Sequence, residues 1–229
     1  NFTVTLTDDV NEDTDGDGFT DAQEASAGSN RNDPSSTPIN TGLVAWYPFD
    51  GNASDMSGNG NHGTVNGATL TVDRHGMNQR AYAFGDDEHI ATPVIIETPT
   101  TGEQSFSAWF FNSSGWRVFG SNASSTGSFH LSLYGGNQTV TFSPSYFGGT
   151  TGDGPQSTNV NVPFGWNHAC LVRTDDSFDA FINGEIVIEG AVRKATSSSY
   201  LYLGKYYVSS QLGRYSGKVD DVRIYDRAL

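Results

Sequence analysis

Between residues 177 and 189 the sequence alternates apolar and polar side chains, breaks at Asn183-Gly184, and alternates again. Phe178, Ala180 and Ile182 recur at every second position before the break, and Ile186 and Ile188 after it. A period of two places such residues on one face of a strand. Asn-Gly supplies the positive φ that a two-residue primed turn requires. The segment is therefore predicted to be an antiparallel hairpin. Similar short runs predict strands at 43–49, 81–85, 88–92, 104–111, 116–121, 128–134, 138–143, 166–174, 177–183, 185–189, 200–206 and 217–225. Helical periodicity is convincing only over Thr20–Ala27. Many short strands separated by turn signals predict an all-β fold, with antiparallel sheets stacked as a sandwich.

Charge narrows the function classes. The 229 residues carry 26 acidic against 12 basic side chains, a formal charge of −14. Nucleic acids and anionic lipids require clustered Lys and Arg, so neither is an expected partner. No stretch approaches the ~20 apolar residues that span a bilayer, so membrane insertion is not expected. No signal-peptide pattern opens the chain, and it begins without Met, as a fragment or processed product would. The lone Cys170 lies in an apolar run and reads as a small buried hydrophobe rather than a nucleophile.

Three segments are expected. Residues 1–10 alternate Phe2, Val4 and Leu6 with threonines, a half-buried strand pattern that resembles the last strand of a cadherin-like module. Residues 11–38 turn acidic, polar and glycine-bearing, and read as a linker organised by metal. Residues 39–229 hold nearly all the apolar runs and form the main domain.

Within the linker, Asp13, Asp15, Asp17, Gly18, Phe19, Asp21 and Glu24 fit the calcium-loop pattern. Side chains at loop positions one, three, five, nine and twelve would converge on the ion, joined by the Phe19 carbonyl at position seven. Calcium is hard and takes about six to eight oxygens. Gly18 permits the sharp turn, and Glu24 can chelate through both oxygens. The plainer alternative is a solvated acidic linker, in which five carboxylates repel one another. Together with the Asn-Asp33-Pro34 that follows, the segment resembles a bacterial thrombospondin type 3 repeat. That resemblance implies a calcium-stiffened connector and makes Asp33 a possible extra ligand.

Three stretches of the main domain carry a second resemblance. They are Gly42-Leu-Val-Ala-Trp46-Tyr-Pro-Phe49-Asp50 through Asn61-His62-Gly63, then Trp166-Asn-His168 through Asn183-Gly184, and the ending Gly217 to Leu229. Together they resemble the laminin-G-like domain of the concanavalin A-like lectin and glucanase superfamily. The resemblance implies a jelly-roll of two antiparallel sheets, and a structural calcium at the sandwich rim. We carry that second ion onto Asp50, Asp55 and Asn59 in the glycine-rich loop, and onto Asp220 or Asp221. Strand alternation would aim only one of the last two at a metal. Ordinary loop capping by Asx side chains is the alternative.

Trp46, Trp109 and Trp166 are expected in the core, against a reading as sugar-stacking platforms. Trp46 and Phe49 fall on opposite strand faces unless Pro48 re-aims one of them. His62 and His168 read as hydrogen-bonded structural histidines rather than metal ligands.

Glycoside hydrolysis needs two carboxyls facing one bond, ~5–9 Å apart. The glutamates of the main domain, Glu88, Glu97, Glu103, Glu185 and Glu189, show no such pairing, and no nucleophile elbow, zinc helix or phosphate loop is present. A non-catalytic binding module is expected, with a polysaccharide or glycan as the first candidate ligand. Candidate contacts are Trp116, Arg117, His130, Tyr134, Tyr146, Phe147, Tyr206, Tyr207, Arg214 and Tyr215, with Lys205 nearby. The alternatives are a cell-surface protein as partner, or a spacer of a bacterial adhesin. Either way an extracellular or cell-surface setting is expected, bacterial by the type of the repeat, with neighbouring domains on a longer chain.

Overall fold

The computed structural model describes residues 12–85, 87–96, 102–112, 119–121, 130–134, 139–143, 156–158, 162–174, 177–192, 199–208, 211–214 and 216–229. Several of these, in β7 to β10, β15 and β16 below above all, are described by backbone alone. The chain divides into two compact units, Asn1–Leu43 and Val44–Leu229.

Among the described residues of the first unit is one short helix, α1 (Asp21–Ala27), where the sequence predicts it. Thr20 caps it. Its hydroxyl accepts from Gln23 N, and the Gln23 side chain accepts from Thr20 N, which satisfies two of the helix's orphan donors reciprocally. Gly28 ends it in the left-handed conformation (φ 75°).

Along the second unit run β1 (Leu43–Tyr47), β2 (Thr64–Asn66), β3 (Thr69–Thr71), β4 (Ala81–Phe84), β5 (His89–Ile96) and β6 (Gln104–Asn112). Then come β7 (Phe119–Ser121), β8 (His130–Tyr134), β9 (Thr139–Ser143), β10 (Gln156–Thr158), β11 (Gly165–Arg173) and β12 (Ser177–Ile182). The last are β13 (Glu185–Val192), β14 (Ser199–Leu203), β15 (Lys205–Val208), β16 (Gln211–Arg214) and β17 (Gly217–Tyr225). They form an eight-stranded sheet in the order β13-β12-β11-β6-β17-β4-β3, with β1 also on β17, and a seven-stranded sheet in the order β10-β9-β8-β7-β14-β5-β2. A small ribbon pairs β15 with β16. The registered pairings are antiparallel, and the two large sheets are the predicted sandwich.

Every strand predicted between residues 43 and 225 is present, and the strand pattern at residues 1–10 lies outside the described residues. The run at 200–206 is split into β14 and β15 at Gly204 (φ 78°), where an added Cβ would run into the Phe84 ring. The Asn183-Gly184 turn has positive φ at both residues (52° and 82°), as a primed turn demands. Four strands were not predicted: β2, β3, β10 and β16. They span three or four residues each, too few for a period of two to declare itself.

The largest fully buried side chains are Tyr47, Phe49, Phe110, Phe178, Ile90, Leu171, Leu201 and Leu203. They come from both large sheets, so the core is the interleaf between them, and each contributes roughly 1.5–3 kcal/mol by burial. Phe49 and Tyr82 meet edge to face at 5.1 Å. The tryptophans are a correction. Trp46, Trp109 and Trp166 are half-buried, not core. In β6 and β11 the inward set pairs Phe106 with Leu171 and Ala108 with Ala169. Alternation then forces Trp109, opposite His168, and Phe111, opposite Trp166, onto the outer face of the sheet. Trp46 stands between buried Ala45 and Tyr47 and falls outward for the same reason, opposite in sense to Phe49.

Candidate functional site

The acidic loop forms a coil of short side-chain-to-backbone bonds. Gly16 N and Gly18 N donate to the two oxygens of Asp13 (2.8 and 3.1 Å), Asp17 N to Asp15 Oδ1 (3.2 Å), and Phe19 N to Asp17 Oδ1 (2.8 Å). These bonds turn the backbone around the carboxylates. Gly16 and Gly18 take the positive φ (77° and 98°) that the tightening needs. One ligand atom from each of Asp13, Asp15 and Asp17 then lies within 4.8 Å of the others.

The remaining oxygens are the informative ones. Asp15 Oδ2, Asp17 Oδ2 and both oxygens of Glu24 are buried, and none has a hydrogen-bond partner. Glu24 is fully buried on α1. Burial first, then the charges of Asp15 and Asp17, raise its pKa above the ordinary carboxyl value. Desolvated carboxylates without donors are costly. A hard cation is the partner that suits them: it accepts oxygens from many directions and supplies positive charge where the hydrogen bonds stop. The donor set is all oxygen, which suits calcium better than a transition metal. Asp13, Asp15 and Asp17, with the donorless oxygens of Glu24, therefore fit such an ion.

Asp21 and Asp33 differ from expectation. Both Asp21 oxygens are already engaged, accepting from Thr14 N (3.0 Å) and Thr14 Oγ1 (2.8 Å), with Arg31 3.7 Å away. Asp21 thus clasps the loop to the first turn of α1, and any contact with an ion would run through water, as is common at that loop position. Asp33 Oδ1 accepts from Ser35 N and Ser35 Oγ (3.0 and 2.6 Å), bonds that hold its carboxyl below the usual value. It caps a turn before Ser36 and is not drawn into the cluster.

At the sandwich the rim residues do not converge on a metal. Asp55 accepts from Trp46 N, Ser57 N, Ser57 Oγ and Asn61 N, all at 2.9 Å. Burial pushes its pKa up, but these four bonds outweigh it and hold the carboxyl below the ordinary value. Asn59 Nδ2 donates to Val44 O (3.1 Å), as does Asn61 Nδ2 (2.9 Å). His62 Nδ1 accepts from Asp55 N (3.1 Å). The loop is stapled to β1 by Asx bonds, which is the capping alternative. Asp50 pairs with Arg80 (3.3 Å), and Asp221 with Arg74 and Arg223 (3.2 and 3.1 Å). The cations at this rim are guanidinium groups. Among the described residues, Asp13, Asp15 and Asp17 are the one group of three or more acidic, His or Cys side chains close enough to share an ion.

The expected alternation of Asp220 and Asp221 also fails. Asp221 has φ 47°, and β17 slips register between Asp220 and Arg223. This bulge turns both carboxylates onto Arg74, whose guanidinium lies 5.2 Å from the Trp109 ring centre. Arg223 lies at the same distance over Trp46, whose Nε1 donates to Asp221 Oδ1 (2.8 Å).

No carboxyl pair suited to glycoside hydrolysis forms among the described glutamates. Glu88 accepts from Gly85 N (2.6 Å) and Glu103 from Ala228 N (3.2 Å), while Glu185 and Glu189 are exposed near the hairpin turn. Glu97 lies outside the described residues. His168 Nε2 lies 2.7 Å from Ser107 Oγ, and burial lowers the His168 pKa. Burial pushes the Cys170 thiol up to about 11, which keeps it protonated at neutral pH. Of the expected glycan contacts, Trp116, Arg117, Tyr146, Phe147 and Tyr215 lie outside the described residues. His130 and Tyr134 stand on β8, Tyr206 and Tyr207 on β15 and Arg214 on β16, placed by backbone alone.

A family model described as the concanavalin A-like lectin/glucanases superfamily matches residues 84–229, and one described as a bacterial TSP3 repeat matches residues 13–34. No curated protein matches the chain. Among solved structures it is similar to domain 4 of AbnA, an extracellular GH43 arabinanase from Geobacillus stearothermophilus, in complex with arabinotriose. The two share 21% identity at a TM-score of 0.59, over 82% of this chain and 93% of that one. A Trypanosoma rangeli sialidase matches at 14% identity and TM-score 0.60, over 82% of this chain and 31% of that one. The binding domain of botulinum neurotoxin DC, in complex with rat synaptotagmin II, matches at 14% and 0.57, over 83% and 49%. At these identities the likeness is one of fold. No helix among the described residues is long and apolar enough to cross a membrane.

Proposed function

Since this chain belongs to the concanavalin A-like lectin/glucanases superfamily, we propose that it is a non-catalytic, calcium-binding extracellular module that binds a glycan as part of a larger secreted or surface protein. The glycan reading rests chiefly on one observation. The similarity spans 93% of a single arabinanase domain solved with arabinotriose, whereas it covers 31% of the sialidase and so leaves most of that enzyme unmatched. Calcium is supported by the four buried, donorless carboxylate oxygens of Asp15, Asp17 and Glu24 and by the repeat at residues 13–34. A lack of catalysis is supported by the dispersed glutamates.

The test is a screen of immobilised glycans and polysaccharides in calcium, repeated with excess chelator and with Trp116→Ala. Selective binding to one glycan class is expected. If no glycan is retained under any condition, the glycan reading fails.

A protein partner is the second reading, and a specific surface favours it. Ile95 and Tyr200 pair across β5 and β14 and are 46% and 53% exposed, an apolar spot on the outer face of the seven-stranded sheet. The neurotoxin binding domain with a similar fold was solved with a protein receptor. Loss of cell-surface binding in Ile95→Ser/Tyr200→Ser, with glycan retention unchanged, would favour this reading.

A further inference from the structure

On the outer side of the eight-stranded sheet, a recess of about 170 Å³ lies between the end of β1, the connection from β3 to β4, and the bulge in β17. We propose that it binds the terminal residue of a neutral glycan, an assignment that rests on the glycan-binding reading and gives it a location and a ligand class.

Charge selects the class. Three arginines, Arg74, Arg80 and Arg223, line the recess, and each is ion-paired with an aspartate that lines it too. Asp73 is a fourth aspartate in the lining beside Asp50, Asp220 and Asp221, and His75 lines it too, so with a neutral imidazole the recess carries four negative groups against three positive ones. The carboxylate or sulfate group of an acidic sugar brings only acceptors and negative charge, and would have to displace an aspartate to reach a guanidinium. A hydroxyl both donates and accepts. Neighbouring hydroxyls of a neutral sugar therefore match donor and acceptor set side by side, as in Arg80–Asp50 (3.3 Å) and Arg223–Asp221 (3.1 Å).

The walls are held in place before any ligand arrives. Trp46 is fixed by its bond to Asp221 and by Arg223 over its ring, and it offers half-buried aromatic surface beside Met77, which is 43% exposed. Gly51 N donates to Gln79 O (2.8 Å) and ties the two bounding loops together. Among the described residues, five other than glycine have positive φ, and three of them sit here: Phe49 (60°) beside Asp50, Gln79 (60°) beside Arg80, and Asp221 (47°) in the wall. Strain of this kind concentrates where a ligand must be met by fixed groups. Access is through the Asp50–Arg80 side, whose side chains are 54% and 47% exposed. The volume lies below the ~300 Å³ at which pockets begin to enclose drug-sized ligands, so the recess suits a chain end rather than the middle of a polymer.

The experiment is calorimetric titration with neutral arabino-, xylo- and gluco-trisaccharides and with galacturonate and sulfated oligosaccharides. It compares wild type, Asp50→Ala/Arg80→Ala and Trp116→Ala, with thermal unfolding of each as a folding control. The exposed pair contributes little to stability, so the double variant should unfold near wild type. We expect at least one neutral trisaccharide to bind, with affinity at least tenfold lower in the double variant than in wild type. The Trp46 indole N–H resonance should shift in the same titration. Equal binding by wild type and the double variant, or loss confined to Trp116→Ala, overturns the location and leaves the glycan reading standing. Binding of acidic oligosaccharides alone overturns the ligand class. Binding of none overturns the glycan reading and this assignment with it.

Discussion

Glu24 carries two carboxylate oxygens that are buried without a donor, whereas both oxygens of Asp21 are held by Thr14. The loop pattern treats the two alike. The structure ranks them, because both Asp21 oxygens are held by Thr14 and lie outside the Asp13, Asp15 and Asp17 group, whereas those of Glu24 have no donor. Glu24→Gln should weaken calcium binding at least tenfold, and Asp21→Asn distinctly less, as read by calorimetry; the reverse ranking would overturn the ligand assignment. Two other carboxyls titrate in opposite senses. For Asp220, burial outweighs the Arg74 charge and raises the folded pKa from 3.8 to about 6, so its contribution to stability is full below about pH 4 and is lost as pH rises through 6. For Asp55 the four hydrogen bonds lower the folded pKa, so its contribution is present above the unfolded value and is lost as pH falls through the folded one. Urea midpoints against pH should therefore show Asp220→Asn flattening the slope between about pH 4 and 6. Asp55→Asn should cost about 1–3 kcal/mol at neutral pH, since an amide cannot accept all four bonds. The Asx chemistry of residues 50–61 was visible in the sequence; that it serves the backbone rather than a metal was not, because ligand and cap use the same residues.

Among elements, the β12–β13 hairpin is the one most fully written in the sequence. Alternation and Asn-Gly are local signals, and the turn does form at Asn183-Gly184. What they omit is that Asn183 Oδ1 also accepts from His168 N (2.8 Å) and its Nδ2 donates to Asn167 Oδ1 (2.9 Å). The turn is thereby anchored to β11, and Asn183→Ala should cost about 1–3 kcal/mol, more than turn propensity alone, in a denaturant titration. Gly204 is a second such position. Its Cβ would meet the buried Phe84 ring, and its φ of 78° strains any side chain, so Gly204→Ala should destabilise by about 2 kcal/mol or more. A change within 0.5 kcal/mol would mean that the Phe84 ring can move. The bulge at Asp221 had no warning in the sequence, since regular alternation was the simplest reading of Val219 to Arg223 and only pairing with β6 and Arg74 displaces it.

For the molecule as a whole, the first compact unit ends at Leu43 and contains one seven-residue helix. Segments this short usually need a metal or another staple to hold a fold. Calcium at 100 times its dissociation constant adds about 2.7 kcal/mol by mass action. Excess chelator should therefore abolish the hydrogen-exchange protection of the Gly16, Gly18 and Phe19 amides, which rests on Asp13 and Asp17. The unfolding temperature of the sandwich should stay within about 2 °C, because the rim carboxylates Asp50 and Asp221 are paired with guanidinium groups. A large fall in that temperature would restore the second calcium.

The sequence by itself determined the all-β class, most of the strands, the short helix and the acidic loop, because each is encoded by neighbours within a dozen residues. Periodicity, turn residues and ligand spacing act over that range. The tertiary structure decided which face each strand turns inward, and so moved Trp46, Trp109 and Trp166 from the expected core to the outer surface. It also decided which carboxylates meet arginine and which are left for a cation. Those outcomes depend on partners such as Arg74 and Asp220, 146 positions apart, that only the packing of one sheet brings together.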